Sequence, residues 1–122
     1  MQNKSLRVGP VALGNAAANI LNGNVTSLAG PVGVTLGQPV ITLEHIRIVN
    51  KTAGPVNVSL YIGATGGSAA GTEFAFNATP VPGNSYVEWY GNLRLESADF
   101  LTGLASAATS LTFEAEGEIG FQ

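Results

Sequence analysis

Cysteine is absent from the 122-residue chain, and histidine occurs once, at position 45. The lack of cysteine excludes a disulfide framework and thiolate chemistry. A histidine-based metal site or a catalytic triad needs partner residues that a chain with one histidine scarcely provides, so we interpret His45 as a structural or surface residue. Asp99 is predicted to lie in a turn and to accept backbone N–H groups. We therefore expect a protein with no enzyme activity and no metal or other cofactor.

Charged residues are also scarce. They make up 11% of the chain, against roughly 25% in an average globular protein. Neutral polar groups hydrate a surface less well than ions, which favours a protein that is largely covered by copies of itself or by a partner. With five Lys and Arg and a net charge of −3, the chain offers no basic patch, and we expect no direct binding to nucleic acid. No apolar run approaches the roughly 18 residues of a membrane helix, so no membrane partner is expected.

Acidic residues are missing from the first third of the chain. Lys4 and Arg7 precede residue 44, which is the first of the eight acids. Repeated Gly, Pro and Asn residues mark turns in the same region, with only short apolar groups between them. We predict an extended N-terminal arm with short strands over residues 1–39 and a β-sandwich domain over residues 40–122.

Two apolar segments joined by a turn, residues 40–63, organise the rest of the chain. Residues 50–55 contain the Asn, Gly and Pro of a reversing connection, so we predict a β-hairpin. The second segment alternates strictly between apolar and polar residues, which is the pattern of a strand with one buried face. Its apolar residues are Val56, Val58, Leu60 and Ile62.

The first segment, residues 40–49, alternates less regularly. In an unbroken strand its apolar residues would point to opposite faces. Ile41 and Leu43 would lie on one face, and Ile46 and Ile48 on the other. Burial of both faces would leave Glu44, His45 and Arg47 in apolar surroundings. A β-bulge near Glu44 and His45 would place all four apolar side chains inside, and we predict that bulge.

Short strands at spacings near ten residues, separated by Gly, Pro or Asn, continue to the end of the chain without a convincing helix. This pattern predicts an all-β fold, an antiparallel sandwich or barrel, with a jelly-roll sandwich as our preferred form. Further strand candidates are residues 25–28, 32–36, 72–77, 85–91 and 111–121. Residues 63–71 are rich in glycine and predict a flexible surface loop, and residues 96–103 predict a loop or a single helical turn.

Three glutamates alternate with apolar residues in the final predicted strand. Glu114, Glu116 and Glu118 would project from one face about 6.5 to 7 Å apart. Three interpretations remain open: a solvated face that also guards an edge strand, contact with a basic partner, and a cation such as Ca²⁺.

Aromatic residues are divided by the alternation of residues 85–91. Trp89 falls on the same face as the apolar Val87, and we interpret it as a core or subunit-contact residue. Tyr86 and Tyr90 face the other way and, with Tyr61, are candidates for stacking on a sugar.

Several segments together resemble small structural proteins of tailed bacteriophages, in particular capsid decoration (cement) proteins with a jelly-roll fold. The segments that carry the resemblance are residues 44–52, 60–66, 82–85, 97–101 and 111–117. The resemblance implies a virion protein that binds the outer capsid surface, is assembled in the host cytoplasm, and stabilises contacts between capsomers.

The partners implied by this resemblance are the major capsid protein and the chain itself, as a homotrimer. Two other functions remain open, a tail or fibre domain that recognises carbohydrate and a neck or head-completion protein. The residues expected at protein interfaces are Lys4, Arg7, Val8, Ile20, Leu21, Tyr86, Tyr90, Glu114, Glu116 and Glu118.

Overall fold

The computed structural model describes residues 4–21, 39–63 and 71–121. Within these ranges the chain forms eight β-strands and no helix, so no helix among these residues is long and apolar enough to span a membrane. The all-β prediction is confirmed. The strands are β1 (Lys4–Ala12), β2 (Ala18–Asn19), β3 (Pro39–Asn50), β4 (Val56–Gly63), β5 (Thr79–Val81), β6 (Ser85–Leu95), β7 (Phe100–Ala105) and β8 (Leu111–Phe121).

The eight strands form two antiparallel sheets of four. Sheet I has the order β1-β8-β3-β6, and sheet II has the order β2-β7-β4-β5. The apolar faces of both sheets contribute to one buried core, so the arrangement is compatible with a sandwich. Most connections carry the chain from one sheet to the other, and the contacts that hold the fold together are therefore mainly between residues distant in sequence.

The bulge predicted in the first apolar segment is confirmed. The register of β3 against both β6 and β8 shifts between Leu43 and His45. The shift resets the alternation, and Ile41, Leu43, Ile46 and Ile48 are all fully buried.

The predicted hairpin over residues 40–63 is wrong. β3 pairs with β6 and β8 in sheet I, whereas β4 pairs with β5 and β7 in sheet II. Residues 51–55 therefore form a corner between sheets. Both strands bury an apolar face in the same core, which produces the alternation expected of a hairpin without any pairing between them.

The corner is fixed by the side chain of Asn50, which is 1% exposed. Its amide nitrogen donates to the carbonyl oxygens of Gly54 at 2.9 Å and Val81 at 3.0 Å. Its Oδ1 accepts from the backbone N–H of Thr52 at 2.9 Å and from the hydroxyl of Thr52. All of the hydrogen-bonding groups of this buried amide are thus satisfied within the corner.

The described part of the predicted arm belongs to the two sheets. β1 pairs with β8 along its length, and β2 pairs with β7. Val8 and Leu13 are buried in the shared core, as are Ile20 and Leu21. Residues 22–38, with the strand candidates at 25–28 and 32–36, lie outside the described residues.

Two local predictions need correction. A strand was predicted over residues 72–77, but these residues form only a single bridge, between Glu73 and Tyr61. The extended backbone is interrupted at Ala75, which has a positive φ of 57°. The predicted loop or turn at residues 96–103 begins as one, with Asp99 accepting the backbone N–H of Glu96 at 2.8 Å, and then continues as the central strand β7. The Asp99 prediction is confirmed. Most of the predicted surface loop, residues 64–70, lies outside the described residues.

Candidate functional site

The outer face of sheet I gathers most of the charged side chains of the strands. On β8 the outward positions alternate with buried ones, and the register places Glu116 between Arg7 of β1 and His45 of β3. Glu114 lies opposite Arg47, which in turn lies opposite Glu88 of β6. We call the charged face the set Arg7, His45, Arg47, Tyr86, Glu88, Tyr90, Arg94, Glu114, Glu116 and Glu118.

Glu88 is the common hydrogen-bond acceptor at the centre of the charged face. Its Oε2 accepts from His45 Nε2 at 2.8 Å, from Arg47 Nη2 at 2.9 Å and from the hydroxyl of Tyr90 at 3.1 Å. The hydrogen bonds from Arg47, and after them the one from His45, hold the pKa of Glu88 below its ordinary value. The Glu88 side chain is only 20% exposed, so these partners replace much of its hydration.

Two aromatic contacts complete the arrangement around Glu88. The rings of His45 and Tyr90 stack with centroids 4.6 Å apart and planes 17° apart. The guanidinium of Arg47 lies 5.4 Å from the ring centroid of Tyr86, within the range of a cation–π contact. The hydrogen bond to Glu88, with partial burial, raises the pKa of Tyr90. Each long side chain of the cluster is thus held by a neighbour.

The orientation predicted for the aromatic residues of β6 is confirmed. Tyr86 and Tyr90 are 52% and 69% exposed, whereas Trp89 and Val87 pack against the core. Tyr61 lies on β4 of sheet II and is half-buried, so it does not share a face with the other two tyrosines. A sugar platform on the charged face would therefore consist of Tyr86 and Tyr90 without Tyr61.

The glutamates of β8 share one face, as predicted, but they do not guard an edge. β8 lies between β1 and β3, so its backbone is paired on both sides. The edge interpretation is wrong because alternation shows which face of a strand is exposed to solvent. It does not show whether the strand lies at the edge or in the interior of the sheet.

Three of the predicted interface residues belong to the core of the chain itself. Val8, Ile20 and Leu21 are 6%, 7% and 6% exposed, and they pack with the buried residues of both sheets. They are therefore not exposed for contact with a partner. Lys4 and Arg7 are exposed on β1, and the five candidates on β6 and β8 all lie on the charged face.

Sequence reasoning missed the network around Glu88. The alternation of β6 placed Glu88 on the same face as Tyr86 and Tyr90, which was an available signal. The pairing of β6 with β3, which brings His45 and Arg47 to Glu88, has no local signature in the sequence.

The chain was also compared with known proteins. No protein-family model matches it, and no curated protein matches it significantly.

Proposed function

We propose that this protein is a bacteriophage capsid decoration protein with a jelly-roll fold, which binds the outer surface of an assembled capsid as a homotrimer and stabilises contacts between capsomers. The strand order supports the fold. β1 pairs with β8, β2 with β7, β3 with β6, and β4 with β5, which is the pairing produced when one long antiparallel hairpin is rolled into two sheets. Jelly rolls are recurrent in viral capsid proteins and in lectins, so the fold supports a virion protein and a sugar-binding protein equally.

The distribution of charge is the observation that carries the proposal. All nine charged residues in the described strands belong to sheet I, and the strands of sheet II contain none. The register places neutral residues on the outer side of sheet II: Asn57, Ser59, Tyr61, Thr102 and Leu104. Ser59 and Thr102 are buried by other parts of the chain, and Glu73 pairs with Tyr61 at the edge of the sheet. We call the accessible residues Asn57, Tyr61 and Leu104 the neutral face. Because interface centres are depleted of charge, the neutral face is the surface that we assign to contacts between sister subunits of the trimer.

The charged face, on the opposite side of the chain, then points away from the sister subunits. Ion pairs between β3 and β6, such as Arg47 with Glu88, keep the charged face hydrated and locally neutralised. A trimer contacts the capsid through three subunits at once, and the resulting multivalency slows detachment without a strong individual contact.

A pair of matched substitutions tests this assignment. Leu104→Glu introduces a charge on the neutral face, and Thr112→Glu introduces one on the outward side of β8; both residues are half-buried and lie on interior strands. We expect native mass spectrometry to show a trimer for the wild type and for Thr112→Glu, and a monomer with retained β-structure for Leu104→Glu. A monomeric wild type, or a trimer that tolerates Leu104→Glu, contradicts the assignment.

The particle itself gives the decisive readout. A cryo-EM map of the virion that carries the protein is expected to show hundreds of copies on the outer shell, which follows from the repeated symmetry of a capsid. A single ring of about a dozen copies would indicate a neck or head-completion protein instead. Absence of the protein from the particle rejects all of the virion functions.

A second candidate function is favoured by one observation. Tyr86 and Tyr90 expose their rings on one face beside the carboxylate of Glu88, and exposed aromatic rings next to a hydrogen-bond acceptor are suited to stacking on sugars. A tail or fibre domain would use such a surface. A glycan array tests it with Tyr86→Ala and Tyr90→Ala as disabled variants and Tyr61→Phe as the control, and a decoration protein should bind no glycan.

A further inference from the structure

The charged face brings together three side chains that can ligate a metal ion. One ligand atom each of His45, Glu114 and Glu116 lies within 4.8 Å of the other two. His45 is on β3, directly opposite Glu116 of β8, and Glu114 is two residues from Glu116 on the same face. Adjacent, paired strands therefore fix the positions of all three.

The imidazole of His45 is oriented as in many metal sites. Its Nε2 lies 2.8 Å from Glu88 Oε2 and donates to it, which directs Nδ1 toward Glu116. Metal-binding histidines commonly donate the second ring N–H to a carboxylate, which fixes the tautomer and makes the ligating nitrogen more basic. The stack on Tyr90 holds the plane of the ring, and the side chain is only 16% exposed. Glu88 and Tyr90 thus prepare Nδ1 as a ligand before any ion arrives.

The distance between the first two ligand atoms agrees with a tetrahedral ion. His45 Nδ1 lies 3.3 Å from Glu116 Oε1, longer than a typical N–H···O hydrogen bond of about 2.9 to 3.0 Å. Two ligands at about 2.0 to 2.1 Å from a tetrahedral zinc ion are separated by about 3.3 Å. A carboxylate oxygen of Glu114 lies within 4.8 Å of the ligand atoms of His45 and Glu116. The exposure of Glu116 at 58% leaves solvent access for a fourth ligand.

We propose that His45, Glu114 and Glu116 bind a divalent transition-metal ion, with zinc as the representative ion, and that Glu88 is the positioning residue for His45. A set of one imidazole and two carboxylates suits zinc better than Ca²⁺ or Mg²⁺, which take oxygen ligands throughout. Arg47 lies opposite Glu114, and Arg7 lies opposite Glu116. A bound ion must therefore compete with both guanidinium groups, but that of Arg47 is hydrogen-bonded to Glu88. The site goes beyond the proposed function and depends on neither a capsid nor a glycan.

Because His45 is the only histidine, its imidazole resonances report the site without ambiguity. The experiment uses ¹⁵N-labelled, tag-free protein that has been freed of metal with a chelator. We expect added ZnCl₂ to shift the resonance of Nδ1, while the resonance of Nε2 shows that this nitrogen keeps its proton. CaCl₂ at the same concentration should leave Nδ1 unshifted. An Nδ1 resonance that does not move with millimolar zinc, or one that moves equally with calcium, overturns the proposal.

Isothermal titration with ZnCl₂ then assigns the ligands. We expect Glu114→Gln and Glu116→Gln each to weaken zinc binding at least about tenfold. Glu88→Gln, which loosens His45, should weaken zinc binding about tenfold and also change the Nε2 resonance. Glu118→Gln, on the same strand and face but outside the cluster, is the matched control and should bind as the wild type does. Melting of the metal-free variants shows whether each is folded. Equal losses in Glu116→Gln and Glu118→Gln would mean nonspecific binding to carboxylates and would overturn the site.

Discussion

The carbonyl oxygen of Thr42 lies so close to Gly117 that a side chain at position 117 would collide with it. The Cα of Leu43 is 2.9 Å from the position that a Cβ would take. Thr42 and Leu43 lie immediately before the bulge of β3, and Gly117 is opposite Leu43 on β8. The bulge that buries four apolar side chains of β3 is therefore matched by a glycine on the neighbouring strand.

We expect Gly117→Ala to destabilise the protein by about 1 to 3 kcal/mol, because the collision is with backbone atoms that cannot move aside alone. Chemical denaturation measures the change. Gly54→Ala is the matched control, since a Cβ at position 54 meets nothing within 4 Å. Equal stability of the two variants would show that β3 and β8 do not approach each other as described.

A second prediction concerns the corner between the sheets. Asn50→Ala leaves the carbonyl oxygens of Gly54 and Val81 without their donor, and each unsatisfied buried group costs about 1 to 3 kcal/mol. We expect a loss of stability in that range or above it, measured by thermal or urea unfolding. Asn92→Ala, which changes an exposed asparagine on β6, is the control and should have little effect. If both substitutions are tolerated equally, Asn50 does not hold the corner.

The pH dependence of stability provides a third prediction. Because the pKa of Glu88 is lowered in the folded protein, the unfolded chain binds more protons as the pH falls below the ordinary value of 4.5. The stabilisation is therefore present above pH 4.5 and is lost as the pH falls toward the folded pKa. Glu73 and Glu96, whose pKa values are also lowered, contribute in the same direction.

The fall in unfolding free energy at acidic pH is the acid limb of the stability profile. Glu88→Gln should flatten this acid limb without abolishing it, since Glu73 and Glu96 remain. Arg47→Gln should flatten it too, because the hydrogen bond from Arg47 is the largest cause of the Glu88 shift. Urea unfolding at several pH values from 3 to 6, with a chelator present, is the measurement. An acid limb as steep in Glu88→Gln as in the wild type would contradict the role given to this carboxylate.

A fourth prediction separates a mobile arm from a structural strand. Deletion of residues 1–12 removes β1, withdraws Val8 from the core and exposes one edge of β8. We expect a large fall in melting temperature and self-association through the freed edge. Ser5→Ala, which changes an exposed residue of the same strand, is the control and should be neutral. A deletion variant with the oligomeric state and the stability of the wild type would mean that β1 is dispensable.

The sequence by itself determined which side chains of a strand face the core. Strict alternation assigned Val58 and Leu60 to the inside and Tyr86 and Tyr90 to the outside, and a break in alternation located the bulge beside His45. These assignments succeeded because burial of one face imposes a period of two on any strand, whichever strands lie beside it.

Only the tertiary structure decided which strands are neighbours. β3 and β4 are consecutive and share a core, yet they lie in different sheets, and β8 is interior although its glutamates suggested an edge. The meeting of His45 with Glu88 and Glu116, and hence the candidate metal site, depends on those pairings. Strand pairing is set by backbone hydrogen bonds and core packing between residues far apart in the chain, and local alternation is the same for every possible neighbour.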